Sequence, residues 1–211
     1  MTENSAPHPG EEKRHSVRLT DPRALRAYAH PLRMTLVGQL RRHGPFTATR
    51  AAELTGESVA SCSYHLRILA KYGLVEEAPG GRGREKPWRA TARYTEWPGY
   101  SEDPSVAQAT DELNVAVAER YFGRFAQVLQ NRTDVTKEWR EAELFGDALV
   151  YLTPDELHAL GERIDELLDA YLDREDDPAT RPEGARPVSF LKIAYLDPDP
   201  DPDPGTDDDK D

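Results

Sequence analysis

Apolar residues recur at helical spacing through most of the first half of the chain. Leu32, Leu36, Val37 and Leu40 share one face of a segment that starts at Pro31. The pattern predicts a helix to about Arg42, where His43-Gly44-Pro45 stops it. A shorter helix is predicted before it, from Asp21 to Ala29. Asp21 can cap it, and Pro22 takes the first helical position, where a missing N–H costs nothing. A third, alanine-rich helix follows over roughly Thr49 to Leu54, and Gly56 makes the turn after it. Ser58 then caps a fourth helix, Val59 to Tyr72. On it, Val59, Cys62, Leu66 and Leu69 fall at i, i+3, i+7 and i+10 and form the expected core stripe. Gly73 ends that helix.

Beyond Gly73 the flanks alternate around a turn-rich centre. Leu74 to Ala78 and Lys86 to Thr91 bracket Pro79-Gly80-Gly81-Arg82-Gly83-Arg84, which predicts a hairpin. Pro87 demotes its strand to an edge. Glu96 to Pro104 is a linker, and Ser105 to Gln130 a long helix with Val106, Leu113, Val117, Tyr121, Phe125 and Leu129 near helical spacing. Its apolar face is too wide for a lone linker helix. It is expected to pack on the first helix and on the same helix of a second copy.

Leu144 to Leu152 is a candidate strand. Thr153-Pro154-Asp155-Glu156 starts another helix, which carries Leu157, Leu160, Ile164, Leu167, Leu168 and Tyr171. Asp173 to Arg186 reads as a polar loop and Pro187 to Leu196 as a strand. The expected class is therefore mainly α with some β (α+β). A winged helix-turn-helix domain over 18–95 is followed by a helical dimerisation segment and a small α/β module over 104–196. Residues 1–17 and the Asp-Pro tail 197–211 are expected to be disordered.

Charge changes this picture. The 211 residues carry a net charge of −12, which taken whole argues against nucleic acid. Residues 1–100, however, hold 16 Lys and Arg against 10 Asp and Glu, a balance of +6, and the remainder carries −18. Fields are screened beyond about 8 Å at physiological salt, so local charge decides what the first half can touch. No apolar run of about 18 residues suggests a membrane span. The start of the chain lacks the apolar core of a signal peptide, and a single cysteine suits a reducing cytosol, so a cytoplasmic protein is expected.

Away from the core stripe, the fourth helix offers Ser61, Tyr64, His65 and Arg67, with Ala60 beside them. Small and hydroxyl side chains near a helix N-terminus let the backbone approach a DNA groove, and the N-terminus itself favours a phosphate. Arg82, Arg84 and Lys86 in the hairpin are spaced for backbone or minor-groove contact. An arginine–glycine turn alone is commonly a solvated hairpin, and helix-turn-helix spacing alone also occurs in bundles that bind no DNA. The order of the elements carries the signal: three short helices, a serine-capped fourth, then a basic hairpin.

His30-Pro31-Leu32-Arg33, Ala51-Ala52-Glu53-Leu54, Ser63-Tyr64-His65-Leu66-Arg67-Ile68-Leu69 and Tyr72-Gly73-Leu74-Val75 resemble the ArsR-type winged-helix repressors over about residues 21–92. The resemblance implies a homodimeric regulator on a pseudo-palindromic operator of double-stranded DNA, each fourth helix in a major groove. It puts Ser61, Ser63, Tyr64 and His65 at recognition-helix positions and Arg82 and Arg84 at wing positions. The candidate DNA-contacting set is Thr49, Ser58, Ser61, Ser63, Tyr64, His65, Arg67, Arg82, Arg84 and Lys86.

The sequence departs from the metal-sensing members of that family. Thr47 to Leu54 has no Cys or His, and neither has Ser105 to Gln130, so no metal or other cofactor is expected and the effector is left open. Cys62 reads as a buried thiol, and His158 with Asp155 and Glu162 as a solvated helix face. His65 reads equally as a titrating group at the DNA face or a hydrogen-bonded structural histidine. The tail from Asp197 holds eight Asp and one Lys, which suits a solubilising segment better than a calcium site. No nucleophile elbow, phosphate loop or paired Cys/His site suggests an enzyme. The competing reading is a winged-helix protein-interaction module that binds no DNA.

Overall fold

A computed structural model of the protein describes residues 16–80 and 86–197, with the side chains of 175 and 176 left aside. The expectations for 1–15, 81–85 and 198–211 lie outside the described residues. The elements run β1 (Ser16–Arg18), α1 (Pro22–Tyr28), α2 (Pro31–His43), α3 (Ala48–Thr55), α4 (Val59–Lys71), β2 (Val75–Glu77), β3 (Trp88–Ala90), β4 (Tyr94–Glu96) and α5 (Pro104–Gln130). A 3₁₀ turn at Arg132–Asp134 precedes α6 (Lys137–Ala142), α7 (Pro154–Asp169), α8 (Asp173–Asp176) and a second 3₁₀ turn at Pro178–Thr180. The chain is mostly helical with small sheets.

Local chemistry sets the helix starts. The Asp21 carboxylate accepts from the Arg23 N–H at 2.8 Å, Thr47 Oγ1 from Arg50 N–H at 3.3 Å and Ser58 Oγ from Ser61 N–H at 3.1 Å. Each satisfies a donor that has no partner inside its own helix. At α2 the cap is an imidazole: His30 Nδ1 accepts from Leu32 N–H at 3.1 Å. Gly56 ends α3 at φ 75° and Gly73 follows α4 at φ 72°, in the left-handed region that glycine enters without a Cβ clash.

The chain divides into two compact units, one ending at Thr133 and the other beginning at Asp134. In the first, Leu25, Leu36, Val37, Cys62, Leu66, Leu69, Leu74, Val75 and Leu113 are fully buried in one continuous core. Each large aliphatic chain removed from water contributes about 1.5–3 kcal/mol. Val59 does not join this core: it is 46% exposed. It sits in the first turn of α4, before the helix meets its neighbours, so the inward stripe is Cys62, Leu66 and Leu69.

Strands close the unit. β2 and β3 pair antiparallel with Glu76 opposite Arg89 and Glu77 opposite Trp88, and Phe46 bridges to Trp88 on the far side of β3. β1 pairs parallel with β4, Ser16 opposite Tyr94. Residues 16 and 17 are thus strand, not part of a disordered leader, and Glu96 is the end of a strand rather than the start of a linker. The first half of α5 packs on α1 through Ala109, Thr110 and Leu113, all buried, with an Arg26–Glu112 ion pair of 3.0 Å beside them. Trp97 Nε1–H donates to Asn114 Oδ1 at 2.9 Å. Every residue of α5 from Tyr121 onward is exposed.

The second unit is built on α7, whose capping box is complete. Thr153 accepts from Glu156 N–H, and the Glu156 carboxylate accepts from Thr153 N–H at 2.8 Å. Lys192 pairs with Asp165, and the Arg186 guanidinium lies 5.8 Å from the Trp139 ring. The strands expected at 144–152 and 187–196 do not form. Leu144 is 87% and Tyr195 78% exposed, and among the described residues neither segment has a neighbour to complete its backbone ladder. An alternating pattern supplies the faces of a strand but not the partner that a strand needs. The loop expected at 173–186 instead contains α8 and a 3₁₀ turn.

Candidate nucleic-acid interface

α4 is held from behind and open in front. Behind, Cys62 and Leu66 are buried, and Thr55 at the end of α3 sits over Cys62 with Oγ1 to Sγ at 3.6 Å. The Thr55 hydroxyl donates to the Ala51 carbonyl at 2.8 Å, so the turn between the two helices is tied to α3. In front, Ala60, Tyr64, Arg67 and Lys71 fall at i, i+4, i+7 and i+11 and are all exposed, Tyr64 to 60%. Together they form a basic and aromatic stripe that the helix-turn-helix presents to solvent. Ser61 and Ser63 flank it, partly covered.

The candidate set is not one surface. Tyr64 and Arg67 lie on the stripe, and Thr49 is exposed near the start of α3. Ser58 Oγ accepts the capping bond of α4, which occupies a lone pair but leaves the hydroxyl proton to donate. Ser58→Ala is therefore expected to cost about 1 kcal/mol of stability through the missing cap. Urea unfolding would read it, and an unchanged midpoint would deny the cap any weight. Arg82 and Arg84 lie outside the described residues. The set read from the sequence omits Lys71, although its four-residue spacing from Arg67 is a signal that could have found it.

His65 faces sideways, not outward. Its ring centroid is 4.5 Å from that of His30 and 5.2 Å from that of Tyr64. Arg33 Nη1 lies 3.3 Å from His65 Nδ1. A guanidinium has only donors, so Nδ1 of His65 must be the acceptor. Arg33 also donates to the carbonyls of Ala27 and Arg26, binding the end of α1 to α4. Both imidazoles therefore use Nδ1 as an acceptor, His30 from Leu32 N–H and His65 from Arg33. Burial pushes both below the ordinary histidine value. Arg33 adds to this at His30, His30 and Arg33 add to it at His65, and Glu57 opposes it at both.

The hairpin carries its own counter-charges. Lys86 Nζ is 2.5 Å from Glu77 and Arg89 Nη2 is 2.6 Å from Glu76. These pairs are about half exposed, a setting in which ion pairs contribute about 0–1 kcal/mol, so an incoming phosphate can displace either acid.

Among the described residues no group of three or more His, Cys, Asp or Glu side chains is placed to hold a metal ion. His158 Nε2 lies 3.5 Å from Glu162 along α7. No helix among the described residues is long and apolar enough to cross a membrane.

The chain matches no curated protein. Among solved structures it is similar to a cysteine-to-serine mutant of MarR from E. coli complexed with operator DNA. The sequence identity is 14%, with 70% of this chain and 84% of that chain covered and a TM-score of 0.29. Residues 28–78 match a family model described as a helix-turn-helix domain. That span takes in α2, α3, α4 and β2, and the hairpin that follows gives this part of the chain a winged helix-turn-helix fold.

Proposed function

We propose that the protein is a sequence-specific DNA-binding transcription regulator, a homodimeric repressor of the ArsR type. In this reading α4 enters the major groove of a pseudo-palindromic operator and the hairpin at 79–86 touches the backbone or minor groove. The observation that carries the reading is the Ala60–Tyr64–Arg67–Lys71 stripe on the outer face of a helix-turn-helix domain. Small and long side chains share that face, so the helix axis can come close while Tyr64 and Arg67 reach base edges or phosphates. A dimer is supported by the second half of α5. Phe122, Val128 and Leu129 are 40–54% exposed there, apolar side chains of the kind that a second copy would cover.

The test is binding of the full chain to DNA selected in vitro, at several salt concentrations. Removing one phosphate-binding side chain should lower the slope of log K against log salt by about 1, so Arg67→Ala and the pair Arg82→Ala with Arg84→Ala should flatten it. Absence of any DNA shift at low salt would sink the proposal, and a monomer in sedimentation would remove the dimer from it. The acid partners of Lys86 and Arg89 favour a second reading, a protein-interaction module. It predicts a salt slope that these variants leave unchanged.

A further inference from the structure

Tyr64 is 60% exposed on the outer stripe of α4, yet its ring is supported from within the fold. It meets the His65 imidazole edge-on, with centroids 5.2 Å apart and planes at 77°. His65 in turn lies against His30, at 4.5 Å and 40°. The three rings make a column from the N-terminus of α2 to the outer face of α4. We propose that this column, with Arg33 fastened to it, presets Tyr64 to discriminate between base pairs, so that His65 and Arg33 are positioning residues for sequence recognition. The proposal rests on the DNA-binding reading above and deepens it, by naming the residues that separate specific from non-specific binding.

The members of the column beneath Tyr64 are fixed at points other than their ring contacts. His30 caps α2, its Nδ1 accepting from Leu32 N–H at 3.1 Å. Arg33 Nη1 donates to His65 Nδ1 at 3.3 Å, while its Nε and Nη2 donate to the Ala27 and Arg26 carbonyls. The His65 ring is thus held at one nitrogen by Arg33 and on one side by His30. Leu66, the next residue, is wholly buried and fixes the backbone of that turn. One turn earlier on the stripe stands Ala60, whose methyl group offers Tyr64 no second ring contact. The support of Tyr64 therefore comes from His65.

A side chain that is already ordered loses less freedom on binding, and a wrong base leaves it unpaired instead of letting it swing to another partner. The Tyr64 hydroxyl can donate to or accept from a base edge, and its ring can meet a thymine methyl. Arg67 and Lys71 on the same stripe carry charge that suits phosphates, which fix register but carry no sequence information. Acid separates the two roles. The charged and titratable groups at the column are His30, Arg33, Glu57 and Tyr64. A proton on His65 Nδ1 removes the acceptor of Arg33 and adds positive charge beside the stripe. Discrimination should then fall with pH, while affinity for DNA of any sequence holds or rises.

The test is the ratio of the full chain's affinities for a duplex selected in vitro and for the same duplex with its sequence scrambled, at one fixed salt concentration. Tyr64→Ala is expected to lower the ratio by about fivefold or more, the scale of one lost base contact. His65→Gln keeps an acceptor for Arg33 but removes the ring beside Tyr64. It should lower the ratio by about two- to tenfold, the scale of freeing one side chain. The double variant should lose no more than Tyr64→Ala alone, because His65 acts through Tyr64. In the wild type the ratio should fall between about pH 7.5 and 5.5, and His65→Gln should abolish most of that fall. A merely structural role would instead weaken binding to both duplexes together. A wild-type ratio in folded His65→Gln, additive losses in the double variant, or a full wild-type pH profile in His65→Gln would each overturn the assignment. If the wild type shifts neither duplex, the DNA-binding reading falls and takes the assignment with it; if it shifts both and His65→Gln keeps the ratio, only the assignment falls.

Discussion

Leu66→Ala is expected to lower the unfolding free energy by about 2–5 kcal/mol, measured by urea or thermal unfolding. Leu66 is wholly buried at the centre of the stripe by which α4 sits on the core, with Cys62 and Leu69 on either side along the helix. Truncation removes its transfer free energy and leaves a void that rigid neighbours fill only in part. A domain of this kind has about 5–15 kcal/mol in total, so the loss is a large share of the whole. The contrast is two residues away. Tyr64→Ala removes a larger side chain that is 60% exposed, and stability should change little. If both variants cost the same, the assignment of inner and outer faces of α4 is wrong.

Acid is expected to loosen the seating of the same helix. His30 caps α2 and His65 accepts from Arg33, each through Nδ1, so a proton on either nitrogen turns an acceptor into a donor that faces another donor. Both folded values lie below the ordinary histidine value of about 6.5. The folded state therefore binds fewer protons than the unfolded one in the window between. Stability is full above about pH 6.5 and falls as pH drops through that window toward the folded values. The groups that act on the pair are Arg33 and Glu57, with the Tyr64 ring beside His65. Of these, Glu57 alone favours protonation of the rings.

The midpoint of thermal unfolding should thus drop between about pH 7.5 and 5.5. His30→Asn keeps a capping side chain and His65→Gln keeps an acceptor for Arg33, but neither titrates. The double variant should lose most of the slope over that window. An unchanged slope would place the acid sensitivity elsewhere.

What can be read ahead of the structure follows from short-range rules. Asp21-Pro22, Pro31, Ser58, Gly56 and Gly73 mark helix ends by local hydrogen bonding and φ preference, and each marks the boundary of an element observed there. The stripe of Cys62, Leu66 and Leu69 is legible because a long amphipathic helix repeats its signal. Val59 misleads because periodicity assigns a face without saying where along the helix the neighbouring elements begin.

The failures are those that need a distant partner. β1 depends on β4, the Phe46 bridge depends on Trp88, and the apolar runs at 144–152 and 187–196 meet no strand among the described residues. The sideways setting of His65 depends on His30 and Arg33, residues well upstream of α4, so no window around His65 contains the reason for it.

The parallel pairing of β1 with β4 bears on how this unit can be cut and transplanted. Ser16–Arg18 and Tyr94–Glu96 lie side by side, and Leu19 N–H donates to the Glu96 carbonyl at 2.8 Å. A fragment that starts at Leu19 and ends with the hairpin would discard both strands, and Leu19, which is 3% exposed, would lose its bond to Glu96. A portable version should run from before Ser16 to beyond Leu113, keeping the clasp and the α5 turns that cover α1. Within it the clasp acts as a seam: it joins two ends of the winged unit that are far apart in sequence, and its closure registers that everything between them has already been placed.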